Sequence, residues 1–346
     1  MVVVMAPGAP EEQIHAVVDR IESTGSKAFV SRGVHHTIIG VVGDPERCYA
    51  LNLPVMPGVS TVLRVSAPYK LVSAQAHSGR SVVHVGPPGH SVPVGPNSFT
   101  LIAGPPVVES AEQTLAAAQL AAAAGATILF GGTFNARLCP YTAQGLGEKA
   151  LTVLAEVREA TGLAIAVEVV DPTDVELVAT YADMIHVGSA NMQNLPLLDR
   201  IGRTGLPISL TRSTQASLGE WLMAAEYLAQ RGNLAIILCD AGIRTFETVT
   251  ARTLDLAAVP LVQQLSHLPV IVHPSQASGR QDLVVPLARA AIAAGADGLL
   301  VDVHPEPENA LHNGQQCLAG AALRELASAV RQMPRLLDRS PTVVNG

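Results

Sequence analysis

Apolar and polar positions first alternate at short range. "MVVVM" predicts a strand, "PEEQIHAVVDRIESTG" a helix with Ile14, Val17, Val18 and Ile21 on one face, and "KAFVSRG" and "HTIIGVVGD" two strands about a tight turn. A short helix near 45–52 and the strand "STVLRV" complete a βαββαβ pattern, the ferredoxin-like split unit, over residues 1–66. Residues 67–98 are rich in Pro, Gly, Ser and His and carry no helical period, which predicts a linker with one hairpin.

Across residues 99–340 a single pattern recurs: a short run of branched apolar residues, a Gly, Pro or polar stop, then a helix. The predicted strands are "FTLIAG", "ATILFGG", "AIAVEVVD", "DMIHVG", "PISLTR", "LAIILCD", "PVIVHP" and "DGLLVDVHP". Such a repeat, over the roughly 250 residues usual for that fold, predicts an α/β architecture, a (β/α)8 TIM barrel. A doubly wound open sheet is the alternative. It commonly places a Gly-rich phosphate loop after its first strand, whereas here that strand runs into "GPP", and proline has no amide to donate.

At 48% hydrophobic over 346 residues the chain can build a sizeable core. Its net charge of −7, with no block of Lys or Arg, argues against nucleic acid or an anionic membrane as partner and leaves a small soluble substrate. Cys48, Cys139, Cys239 and Cys317 are scattered without CxxC spacing, so neither a disulfide framework nor a structural zinc site is expected, and a cytoplasmic location fits. The start lacks a basic stretch of the signal-peptide kind. The alanine-rich stretch 115–130, interrupted by Gln119 and Gly125, predicts a helix followed by a strand, not a membrane span. Only Lys27, Lys70 and Lys149 are lysines, none at a strand end, which disfavours Schiff-base chemistry.

Barrels of this kind carry their chemistry at the C-terminal ends of the strands. Arg137, Glu168, His186, Arg212, Asp240, Arg244, His273, Ser275, Gln276, Asp302 and His304 gather there. Period-two alternation puts Asp302 and His304 on one face of the last strand, the interior if Leu300 also points inward. Histidines suit proton transfer beside a carbonyl. His273 and His304 are therefore expected as acid–base partners with Asp302 orienting one of them, alongside His186, Glu168 and Cys139. Arg137, Arg212, Gln276, Ser275, Asn135, Thr211 and Asp240 are expected to bind substrate. Blander readings stand beside these: His186 as a core residue, Cys139 as a small apolar group, Arg244 as a tie to Glu247, and Glu109 and Glu148 as first-turn carboxylates facing helix dipoles.

The segments "APYKLVSA", "QGLGEKAL", "NMQN", "AAEYLAQRGN", "GIRTFETVTARTLDLAAVP", "SHLPVIV" and "VPLARAAIAAGADGLLVDVHPEPENAL" are distinctive together. On them the chain resembles, over nearly its whole length, the short bacterial type of DAHP synthase, which condenses phosphoenolpyruvate with erythrose 4-phosphate at the entrance to the shikimate pathway. The resemblance implies a barrel with an N-terminal ferredoxin-like domain that senses aromatic amino acids and helps build a tetramer. It also implies a divalent metal held by a cysteine, a histidine, a glutamate and an aspartate. Those four places carry Pro106, Gln276, Asp302 and Asn313. Proline offers no donor, and neutral Gln and Asn oxygens hold cations weakly, so neither metal nor other cofactor is expected.

The family's cations for phosphoenolpyruvate are depleted as well. Its lysine and threonine in one loop are Asn135 and Leu138, though Arg137, Pro140 and Tyr141 are kept. Further basic positions are Ala190, Thr211, Ala241 and Phe130, and His273 replaces an aspartate. Each charge-assisted bond is worth about 1.5–3 kcal/mol, so losing several predicts negligible affinity for phosphoenolpyruvate. The leading expectation is a repurposed, metal-independent enzyme of specialised aromatic metabolism, acting on a shikimate- or sugar-derived carbonyl or carboxylic intermediate by aldol-type, isomerase or dehydratase chemistry. The alternatives are a non-catalytic homologue that binds an aromatic effector or partners a true DAHP synthase, and a genuine DAHP synthase. Apolar faces on the N-terminal strands and barrel helices predict a homodimer or homotetramer.

Overall fold

The computed structural model describes residues 1–32, 37–43, 51–63, 67–77, 79–87, 89–133 and 145–343. The N-terminal unit contains β1 (Val2–Met5), α1 (Glu11–Glu22), β2 (Lys27–Arg32), β3 (Thr37–Val42) and β4 (Val59–Leu63). The strands form an antiparallel sheet in the order β2-β3-β1-β4, which is the ferredoxin-like arrangement. Alternation sorts the two faces: Val3, Met5, Ile39 and Val41 meet Ile14, Val17 and Ile21 of α1, while Val2 and Ile38 join the large core shared with the barrel. The helix expected near 45–52 falls on residues 44–50, outside the described residues, and the chain after them makes a single 3-10 turn at Leu53–Val55.

The barrel wall is β7 (Ser98–Gly104), β8 (Ile128–Gly131), β9 (Ala164–Glu168), β10 (Met184–Val187), β11 (Ile208–Thr211), β12 (Ile236–Asp240), β13 (Val270–Val272) and β14 (Gly298–Asp302). Neighbours pair in parallel, and β14 closes on β7 with Gly298 opposite Thr100. Each predicted apolar run of the barrel became one of these strands. The helical layer includes α2 (Ala111–Ala124), α3 (Glu148–Thr161), α4 (Val175–Ala179), α5 (Leu195–Gly202), α6 (Leu218–Ala229), α7 (Ala258–Leu265), α8 (Pro274–Ser278), α9 (Gln281–Ala293) and α10 (Gly320–Gln332). Residues such as Leu129, Ile165, Leu210 and Leu238 face these helices, whereas Ile102, Phe130, Ala166, Met184, Ile237, Ile271 and Leu300 fill the interior.

The hairpin expected within 67–98 is β5 (Val83–Val85) with β6 (Val92–Val94), and Val83, Val85, Val92 and Val94 pack against the interior side chains. An apolar plug thus closes the end of the barrel opposite the strand C-termini. The chain leading to it is fastened rather than loose. Buried Glu226 on α6 accepts from the Leu71 amide at 2.8 and 3.0 Å and from the Val72 amide at 3.1 Å. Ser266 Oγ donates to the Val72 carbonyl at 2.6 Å, and His267, kept neutral because burial pushes its pKa down to about 4, places Nε2 2.9 Å from the Leu71 carbonyl.

Glu226→Ala would strand two buried amides, each worth about 1–3 kcal/mol when unsatisfied. Urea denaturation is expected to show a loss of about 2–6 kcal/mol, with Glu226→Gln losing less because its amide oxygen still accepts. A wild-type midpoint for Glu226→Ala would contradict this fastening role.

Candidate active site

Strand alternation decides which polar residues reach the interior. Glu168 follows the inward Ala166, His186 the inward Met184, His273 the inward Ile271, and Asp302 the inward Leu300. His186 lies between two β11 hydroxyls, Ser209 Oγ 3.1 Å from Nδ1 and Thr211 Oγ1 3.2 Å from Nε2, with the Phe130 ring in an edge-to-face arrangement, centroids 5.3 Å apart. Burial pushes its pKa down to about 4, so it stays neutral and serves as the polar floor of the site. Thr211 is a buried partner of that ring.

Above this floor the acid–base groups cluster. Glu168 is pushed up to about 7, mainly by burial and then by the charge of Asp302. Its carboxyl lies where a Cβ on Gly188 would meet Oε1, so a larger residue there would push the Glu168 carboxyl from this position. Asp302 is pushed up to about 6 by burial, opposed by a hydrogen bond from Gln316 Nε2 to its Oδ2. His273 Nε2 stands 3.8 Å from Asp302 Oδ1, and its Nδ1 accepts from the Gln276 amide at 3.5 Å, capping α8. Burial, with the Arg252 guanidinium adding to it, holds His273 well below its ordinary value, so it is neutral, its Nδ1 lone pair committed to the cap and its Nε2 turned to Asp302. Ser275 is buried beneath this group, where its Oγ accepts from the Asp302 amide at 3.1 Å.

Several expectations change. Arg212 and Asp240 continue the outward positions of Leu210 and Leu238, and they form a buried ion pair at 3.3 Å that Asp255 completes at 2.9 Å. Their charges are spent on each other rather than offered to substrate. Asp302 neighbours His273 and not His304. His304 Nε2 instead faces Glu109 Oε1 at 3.5 Å, while its Nδ1 accepts from the Glu306 amide at 3.1 Å. Glu109 lies before the Ser110 cap of α2, outside the first turn, and its Oε1 accepts from the Leu311 amide at 2.8 Å. Glu148 does begin α3. Arg244 makes no ion pair with Glu247 among the described residues, and Glu247 accepts from the Thr248 and Val249 amides. Asn135, Arg137, Leu138, Cys139, Pro140 and Tyr141 lie outside the described residues. Cys239, buried in the interior, is pushed up to about 12 and is not a thiolate.

Three mouth residues were not singled out. Ser189 stands in the turn directly after β10, whereas Gln316, from a 3-10 turn after β14, and Arg252, from the long loop between β12 and α7, had no strand-end signal. Arg252 Nη1 donates to Gln276 Oε1 at 3.3 Å. This contact decides the metal question at that position: the Gln276 oxygen already faces a fixed guanidinium, which would repel a dication. Asp302 supplies the one carboxylate of the four family positions, Pro106 has no donor, and no group of three or more His, Cys, Asp or Glu is arranged for a metal among the described residues. The family's metal does not fit the residues present.

Comparisons agree on ancestry. A model described as "DAHP synthetase I family" matches residues 82–339, and one for the "DAHP synthase ferredoxin-like domain" matches residues 1–67. Phospho-2-dehydro-3-deoxyheptonate aldolase of Thermotoga maritima is 43% identical over 345 residues, covering 100% of both chains. A 2-dehydro-3-deoxyphosphooctonate aldolase of Hydrogenovibrio crunogenus is 26% identical over 69% of this chain and 92% of its own. The crystal structure of the Thermotoga maritima DAHP synthase superposes with a TM-score of 0.77 at 41% identity over 99% of each chain. No helix among the described residues is long and apolar enough to cross a membrane.

The raised pKa of Glu168 has a defined effect on stability. The fold favours the protonated carboxyl, so that contribution is complete below the unfolded value near 4.5 and is lost as pH rises through about 7. Glu168→Gln carries no such loss. Its stability relative to wild type is expected to grow by about 1–3 kcal/mol between pH 4.5 and 8 in urea denaturation, and a pH-independent difference would show that Glu168 is not desolvated.

Proposed function

This chain belongs to the DAHP synthetase I family, and we propose that it is an aldol-type carbon–carbon bond-forming enzyme working at the barrel mouth. The observation that carries the reading is the cluster of Glu168, Asp302 and neutral His273 above a sealed barrel. As an aldol bond forms, the electron pair of the acceptor C=O moves onto its oxygen, which then needs a proton. Glu168, protonated near neutral pH, supplies it. The Asp302 carboxylate, with a pKa of about 6, takes the proton released on the donor side: the α-proton of a carbonyl donor, or, with an enol phosphate donor whose carbon loses no proton, that of the water that adds as the C–O bond to phosphate breaks, and His273 Nε2 at 3.8 Å positions it.

Identity of 43% over the full length favours the relatives' own condensation, phosphoenolpyruvate with erythrose 4-phosphate, over a change of reaction. A second reading keeps the aldol step but uses a less anionic substrate. Pro106, Gln276 and Asn313 at the family's metal positions, and the guanidinium on Gln276, favour it. These two readings differ in substrate, not in the acid–base machinery.

An assay of the full chain with phosphoenolpyruvate and erythrose 4-phosphate, with and without manganese, separates them. The family reading expects phosphate release, lowered at least about 100-fold by Asp302→Asn, the usual scale for losing a general base. Absence of turnover under both conditions would remove the family's own reaction and leave the second reading. Turnover that Asp302→Asn leaves intact would remove the proton-transfer assignment, and strict dependence on manganese would overturn the misfit of the metal.

A further inference from the structure

We infer that Arg252 is the anion anchor of the barrel mouth and takes the carboxylate of a monoanionic substrate such as a 2-oxo acid. This rests on the mouth being the working site. Arg252 differs from the other enclosed arginines of the fold. Arg80 and Arg339 share Asp297, Arg158 faces Asp183, and Arg212 has Asp240 and Asp255. The guanidinium of Arg252 instead meets only neutral oxygens: the Ala241 carbonyl at 3.4 Å, Gln276 Oε1 at 3.3 Å and Ser189 Oγ at 3.3 Å. No carboxylate forms an ion pair with it among the described residues, and Asp240, whose charge reaches it, is committed to Arg212. A partly buried cation short of counter-charge is costly unless something anionic completes it.

The surrounding chain holds this side chain in place. The Arg252 amide donates to the Ala277 carbonyl at 2.8 Å and the Ala251 amide to the Ser278 carbonyl at 3.0 Å, pinning the loop to α8. Gly242, at φ +86°, leaves room for it, because a Cβ there would come within 3.0 Å of Arg252 Cβ. Its two side-chain contacts also fix where a bound anion would lie. Gln276 is in the turn that His273 caps, and Ser189 follows Gly188, over which the Glu168 carboxyl sits. An anion on Arg252 therefore has its neighbouring carbon beside the proton-transfer groups.

The chemistry points to carboxylate rather than phosphate. A flat guanidinium matches a carboxylate through two parallel N–H···O bonds, whereas a phosphate dianion needs several cationic donors. Here one guanidinium works alone, close enough to His273 for its charge to be felt there and with neutral Gln276 and Ser189 as its side-chain partners. It also stands against the Gln276 oxygen where the family would place a metal ligand, so the positive charge at that spot is carried by the protein.

Calorimetric titration of the full chain with pyruvate and, separately, with inorganic phosphate tests the inference without requiring turnover. Wild type is expected to bind pyruvate more tightly than phosphate. Arg252→Gln is expected to weaken pyruvate at least tenfold, Arg252→Lys to fall between, and neither to change phosphate binding. Gln276→Glu, which gives the guanidinium an internal counter-ion, is expected to weaken pyruvate similarly and serves if Arg252→Gln does not fold. The inference is overturned if wild type does not bind pyruvate, if Arg252→Gln or Gln276→Glu binds it as wild type does, or if phosphate is the tighter, Arg252-dependent ligand. Arg252-dependent pyruvate binding without condensation of the family's substrates would keep the anchor and discard the family's own reaction. Condensation that Arg252→Gln leaves unchanged, together with wild-type pyruvate affinity, would do the reverse.

Discussion

Desolvation at the end of a barrel sealed from below is the constraint on which this site depends. The Val83, Val85, Val92 and Val94 plug and the interior apolar layer leave the mouth as the polar end of the cylinder. Burial there acts in opposite directions on acids and bases. It raises Glu168 to about 7 and Asp302 to about 6 and lowers His186 and His273, so a partly protonated carboxyl, a carboxylate and uncharged imidazoles stand together near neutrality. The same groups on a solvated surface would be carboxylates and partly protonated histidines, with little reason to exchange protons.

The second consequence concerns positive charge. Enzymes of this family carry a dication and several basic side chains at the mouth, as the resemblance implies, whereas this chain has Pro106, Gln276 and Asn313 where ligands belong and neutral residues where several cations belong. The structure shows that cationic character is not simply deleted. Arg252 enters from the loop between β12 and α7 and contacts the very glutamine that replaces a ligand. The guanidinium sets one covalent positive charge and a planar fork beside a position where the resemblance implies a metal ligand.

Ion pairs elsewhere do different work. Arg212 with Asp240 and Asp255, and Asp297 with Arg80 and Arg339, lie in the wall and its supports, and Glu226 fastens the connecting segment through backbone amides. Such networks are buried charges that must be satisfied locally, because leaving one partner alone would cost more than the pair gains. They hold the frame, whereas Glu168 and Arg252 are left facing the mouth with less compensation.

Much of the frame was legible in the order of residues alone. Runs such as "AIAVEVVD" and "DGLLVDVHP" announced barrel strands because a short branched run bounded by polar stops has few other homes, and period two, followed from the inward Leu300, turned Asp302 inward. The same alternation, carried through Leu210 and Leu238, would have turned Arg212 and Asp240 toward the helices, so that error lay in grouping strand-end residues without tracking their faces. Glu109 with His304, and Arg252 with Gln276, were beyond such reading: each pair joins segments distant along the chain, and Arg252 occupies an irregular loop with no period to orient it. Local sequence determined the strands, their faces and the loss of the family's ligand types. Only closure of the barrel decided which charges meet, because those distances are set by the packing of eight strands and their long loops rather than by spacing along any one of them.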